Sequence, residues 1–145
     1  MNSTVIQHAL RLGSQFTPPN LSDADKVIEG VFIPEPIQHF LFGLSWPRGL
    51  RFASKENSGF WVWRVALDLF DWIDPNELPI KDRGGRPLIC FGEADSGNIL
   101  FALALDDPDP SDPIVFKLEH DAQLQRLGPG LKLSQFLALL EPEED

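Results

Sequence analysis

Residues 88–105, Leu-Ile-Cys-Phe-Gly-Glu-Ala-Asp-Ser-Gly-Asn-Ile-Leu-Phe-Ala-Leu-Ala-Leu, decide the fold. Two apolar runs flank a short polar turn that contains Gly92 and Gly97, the pattern of a buried β-hairpin. A proline-stiffened acidic segment follows at once, with Asp106, Asp107, Asp109 and Asp112 between Leu105 and Pro113. No nucleophile motif, metal-ligand spacing or phosphate loop accompanies the hairpin. A buried hairpin that runs into an anionic loop points to binding another protein rather than to transforming a substrate.

Working outward, residues 114–118 read as the next strand. Upstream, residues 60–65 (Phe-Trp-Val-Trp-Arg-Val) alternate in the manner of a strand. Residues 67–73 alternate imperfectly and stay ambiguous between strand and helix. Asp74-Pro75-Asn76-Glu77 reads as a turn or short helix start, and residues 81–87 as a polar glycine-rich loop. The N-terminal part reads as helical. Residues 3–12 place Val5, Ile6, Ala9 and Leu10 on one face, capped by Ser3 or Thr4 and ended by Gly13. The spacing from Ser22 predicts a second helix that ends by Gly30. Ile37, Phe40, Leu41 and Leu44 form the core stripe of a third, with Pro36 in its first turn. The last element is a helix over 134–140 with Phe136, Leu137 and Leu140 inward and Ser134 as its cap. Residues 1–19 thus form an N-terminal helix and linker, and residues 141–145 a solvated acidic tail. Helices, then strands, then a helix predict one α+β domain over 1–145. Its centre is an antiparallel sheet of about four to six strands, with helices on one face.

The chain has 145 residues and a formal charge of −10, unevenly placed. Residues 1–92 hold nine bases against ten acids, whereas residues 93–145 hold three against twelve. Such a field repels nucleic acid and anionic membranes and speeds association with a basic protein. No stretch reaches the roughly 18 apolar residues of a membrane span. No secretory leader is evident at the N-terminus, and the lone Cys90 allows no intrachain disulfide and reads as a core residue. A cytoplasmic location is the expectation.

Four segments together resemble the SUKH superfamily, the Smi/Knr-type domain. They are Ile33-Pro34-Glu35-Pro36-Ile37-Gln38-His39-Phe40-Leu41, the Gly92 to Gly97 hairpin, Pro113 to Asp121, and Leu133 to Leu140. They span about residues 20–140. The family's Asn-Gly turn after its first helix is replaced here by Phe42-Gly43-Leu44-Ser45-Trp46, and the Trp-rich region 60–72 is heavier than the family pattern. The resemblance implies an α+β fold with a central antiparallel sheet and a role as a protein-binding module. Many bacterial members are immunity proteins that neutralise a cognate toxin. Fungal members are regulatory hubs.

Catalytic and metal sites find little support. Glu119-His120-Asp121 on a strand would point His120 away from both acids, so a polar strand end is favoured over a metal or acid–base site. His8 and His39 lie far off, and no zinc spacing exists. The acids of 106–112 lack the central glycine and terminal glutamate of a calcium loop. Asp68 and Asp71 form a carboxylate pair of the kind a small hydrolase uses, but acids are too common here for the pairing to carry weight. Trp61, Trp63 and Trp72 read as core, with Trp61 the alternative interface anchor. The sequence therefore predicts a non-enzymatic binding module without cofactor or metal, whose partner is a basic protein such as a toxin domain. The alternative is a regulatory or scaffold protein of the same fold. The expected contacts are Glu93, Asp95, Asp106, Asp107, Asp109 and Asp112, with Trp61. Nothing in the pattern sets an oligomeric state.

Overall fold

In the computed structural model, residues 3–56, 59–69, 73–94 and 97–142 are described. A large antiparallel sheet with helices at both chain ends forms the frame. Five longer strands make its body: β5 (Leu50–Glu56), β6 (Gly59–Ala66), β8 (Pro87–Ala94), β9 (Ile99–Leu103) and β10 (Ile114–Glu119). Four short strands extend it: β7 (Pro79–Lys81), β11 (Gln125–Arg126), β12 (Leu131–Lys132) and β13 (Leu140–Pro142). The order along the sheet is β11-β10-β9-β8-β6-β5-β13, with β12 beside β10 and β7 beside β8. The expected four to six strands correspond to the long ones. The short additions carry too few residues for a periodic signal.

The hairpin at 88–105 forms as read, with one difference. Gly92 is not in the turn but inside β8, at a β-bulge where the register steps from Cys90 opposite Ala102 to Gly92 opposite Phe101. A methyl group there would sit 2.7 Å from Leu67 Cδ2 and 3.0 Å from the Ala66 carbonyl oxygen. The glycine is required for close approach of β8 to the chain after β6. Gly97, at φ +90°, is the true turn glycine.

Three α-helices among the described residues cover one face: α1 (Ser3–Arg11), α2 (Glu35–Gly43) and α3 (Leu133–Ala138). Val5 and Ala9 of α1, Ile37, Phe40 and Leu41 of α2, and Leu133, Phe136 and Leu137 of α3 share one core cluster with Leu50, Val65, Phe91, Phe101 and Leu103 of the sheet. Aromatic rings tie the layers together. Phe136 lies 4.8 Å from Phe101 and 6.1 Å from Phe91, and Phe91 lies 5.1 Å from Phe40, centroid to centroid. Edge and tilted packing of this kind adds to the area each ring removes from water.

α1 ends as Gly13 predicts. The Ser14 amide donates to the Ala9 carbonyl and the Gly13 amide to that of Leu10, the paired bonds of a Schellman motif. Its buried face is Val5, Ala9 and Leu12, not Leu10, which is 53% exposed. Arg11 closes the chain ends on each other, donating from Nη2 to the Leu137 and Leu140 carbonyls at 3.1 Å each. β1 (Gln15–Phe16) and β4 (Leu44–Ser45) pair beside α2.

Three local expectations change. The helix from Ser22 to Gly30 is only a 3-10 turn over Ala24–Lys26, followed by a hairpin of β2 (Val27–Ile28) and β3 (Val31–Phe32). Glu29 at φ 50° and Gly30 at φ 77° supply the two positive φ values of a type I′ turn, between residues that favour strands. The Ser22 hydroxyl accepts the Asp25 amide at 3.3 Å, but the cap position of the turn is Asp23, whose side chain makes no capping bond. The last helix stops at Ala138, because Leu140–Pro142 pairs with Leu50–Phe52. Glu141 is therefore not a free tail: its carboxylate accepts from Arg51 Nη2 at 2.9 Å in an ion pair. Residues 143–145 lie outside the described residues.

Candidate interaction surface

The loop between β9 and β10 divides its four aspartates by direction. Asp107 and Asp112 are each only 9% exposed. Asp107 accepts the Asp109 amide at Oδ1 and the Ile114 amide at Oδ2, both at 2.9 Å. Asp112 accepts the Ser134 amide at 2.8 Å and the Ser134 hydroxyl at 2.7 Å. Asp112 thus satisfies the first turn of α3 from across the fold, which is the task expected of Ser134 itself. Asp107 and Asp112, two of the expected contacts, are thus buried with their carboxylates occupied by backbone and hydroxyl donors of Asp109, Ile114 and Ser134. Pro108, Pro110 and Pro113 bring no amide of their own, which narrows the loop's internal donors to those the two acids use.

Asp106 and Asp109 are exposed. Asp106 stands 3.5 Å from Arg86 Nη2, with 74% of its side chain accessible. Glu93 is half-buried in β8 opposite Leu100, near the start of β9. The loop follows the far end of that strand, on the order of 10 Å from Leu100 at ~3.3 Å per residue. The structure therefore separates Glu93 from Asp106 and Asp109. Asp95 and the side chain of Trp61 lie outside the described residues, as do Asp71, Trp72 and the side chain of Trp63.

Next to Asp106 lies a groove of about 370 Å³. Ile28 and Val31 of the β2–β3 hairpin form one wall, Pro79 and Ile89 of β7 and β8 the floor, and Leu105 the end. Glu29, Lys81 and Asp106 rim it. On the same hairpin Val27, Val31 and Phe32 are 40%, 44% and 60% exposed. Three large apolar residues on one short exposed hairpin exceed what scattered surface hydrophobics explain. The helical reading of 22–30 concealed this feature. The Glu-Gly pair between Val-Ile and Val-Phe was the available signal.

A second feature without a local signal is Asp82. It lies 7% exposed under the 81–87 loop and accepts the Arg86 amide at 2.9 Å and Arg126 Nε at 2.7 Å. Burial pushes its pKa up. Bonds from the Arg86 amide and the Arg126 side chain, with the Arg126 charge and the Gly84 amide, outweigh burial and hold it below 3.8. A carboxylate so held cannot serve as a proton donor near neutral pH. Cys90 is driven the other way, to about 12, chiefly by burial, and stays a thiol. Its Sγ–H points at the Gly92 carbonyl at 3.4 Å. His120 begins a 3-10 turn, and its amide donates to the Asn98 carbonyl, so the strand end does bond a neighbouring loop. Among the described residues no group of three His, Cys, Asp or Glu side chains is placed to hold a metal. No helix among them is long and apolar enough to cross a membrane.

The molecule is thus a mixed α+β protein with an apolar groove edged by a scaffolded acidic loop. No family model, curated protein or solved structure matches the chain.

Proposed function

We propose that the chain is a non-enzymatic protein-binding module that docks a basic protein, most concretely a bacterial toxin that it neutralises as an immunity protein. The observation that carries this reading is the β9–β10 loop. By burying Asp107 and Asp112 it holds Asp106 outward on an apolar groove, with Asp109 exposed in the same loop. An apolar centre with a charged rim is the anatomy of a specific interface, and the excess of acid there, Glu29 and Asp106 against Lys81, favours a basic partner. The exposed Val31 lines the groove, and Val27 and Phe32, paired across the same hairpin, add exposed apolar area to it. The resemblance of residues 33–41, 92–97, 113–121 and 133–140 to SUKH domains favours the same class and adds the toxin-neutralising role.

The test begins with capture of partners from the source cells and identification of the retained protein. Asp106→Asn with Asp109→Asn is then expected to slow association with that protein severalfold at low salt and to flatten its salt dependence. Phe32→Ser is expected to speed dissociation. Growth restored by co-expression in cells producing the partner marks neutralisation. An on-rate and salt dependence unchanged by the double substitution removes the steering claim.

A further inference from the structure

The twelve basic residues of this chain are outnumbered by 22 acids, yet three arginines meet in one small place. A pocket of about 330 Å³ is lined by Asp82, Arg83, Gly84, Arg86 and Arg126. Two of the guanidiniums share one aromatic ring: Arg126 Cζ lies 4.3 Å and Arg86 Cζ 5.1 Å from the centroid of Phe116. The ring holds both cations by its quadrupole and fixes where they stand. Asp82 neutralises Arg126 at 2.6 Å, which accounts for that arginine as part of the fold. It does not account for the other two. Among the described residues the carboxylate beside Arg86 is the largely exposed Asp106 at 3.5 Å, a pairing that solvent screens. Arg83 is exposed, and its guanidinium donates to the neutral Gln125 Oε1 at 3.3 Å. Forked donors on adjacent guanidiniums match the oxygens of a phosphate better than a lysine would.

We infer that Arg83, Arg86 and Arg126 form a binding site for a phosphate group, either free phosphate or a phosphate monoester. The incoming dianion replaces Gln125 on Arg83 and Asp106 on Arg86, while Asp82 keeps Arg126 in place. The site is separate from the proposed docking of a basic protein, and the two meet at the Arg86–Asp106 pair. In a protein of net charge −10 the long-range field opposes anions, so binding depends on this local convergence.

The test is a titration of the intact protein with inorganic phosphate, and separately with phenyl phosphate, at constant ionic strength in chloride. Amide signals of Gly84 and Gly85 and the Nε signals of the three arginines are followed by NMR. Saturable shifts confined to this loop and to Arg126 are expected. Arg83→Gln, at an exposed position, and Arg86→Gln, at a half-buried one, are each expected to weaken binding about tenfold. Asp106→Asn is expected to strengthen it by freeing Arg86, which a purely structural role for the arginines would not do. Tighter binding of phenyl phosphate identifies a phosphate monoester as the ligand, and equal binding identifies free phosphate. Shifts that never saturate, or an affinity unchanged in both arginine variants, overturn the site and leave the arginines as cover for Phe116.

Discussion

The two faces of the sheet are built on different physics. One lies under α1, α2 and α3 and shares a large cluster of apolar side chains from all three helices. The other has a small cluster of Leu88, Ala102, Ala104, Phe116 and Leu118, to which no helix among the described residues contributes. Its cover is a loop, with Arg86 and Arg126 laid over Phe116 and Arg126 tethered to Asp82. The first face is stabilised by area removed from water and by ring packing. The second is stabilised by long charged side chains whose stems cover carbon while their heads stay paired or wet. The helical face therefore depends on volume and the other on charge.

The comparison breaks most readily at Phe136, which contacts rings from three strands, Phe52 of β5, Phe91 of β8 and Phe101 of β9. Phe136→Ala is expected to cost about 3–5 kcal/mol, read as a lower urea midpoint with little change in its salt or pH dependence. Asp82→Ala strikes the second face and is expected to cost about 2–4 kcal/mol, because it strands the Arg86 amide and the Arg126 guanidinium. Its signature is pH. The folded pKa of Asp82 is depressed, so its contribution is complete above the ordinary carboxylate value and is lost as pH falls below 3.8 through the folded value. Acid unfolding curves of the wild type should steepen in that range, and those of Asp82→Asn should not. A variant with the wild-type acid profile would show that the second face does not rely on this pair.

The smallest effects separate the aspartates of one loop. Asp112→Ala is expected to cost about 1–2 kcal/mol by releasing the Ser134 amide and hydroxyl at the start of α3. Asp109→Asn is expected to stay within about 0.5 kcal/mol of wild type. Equal melting temperatures for the two variants would erase the division between inward and outward acids.

The helical face was legible from local pattern. Ile37, Phe40 and Leu41 fall at helical spacing, and 88–91 and 99–103 are apolar runs, so period and burial agree. The β2–β3 hairpin was not, because Ser22 with acids after it imitates a helix start and the strands are two residues each. Of the expected contact residues, Asp106 and Asp109 stand at the surface, Glu93 stands at the other end of β9, and Asp107 and Asp112 face inward. Four aspartates within seven residues look alike in a sequence. Their roles diverge only when Ile114 and Ser134 arrive as donors.

The sequence by itself determined the α+β class, the hairpin at 88–105, the amphipathic helix of 35–43 and the concentration of negative charge after residue 92. Each follows from interactions between near neighbours, or from composition, which no folding rearranges. Only the tertiary structure decided which acids face solvent, where the apolar groove lies and that Arg83, Arg86 and Arg126 converge. Those facts depend on pairings such as Asp82 with Arg126 and Asp112 with Ser134, between residues that local pattern cannot connect.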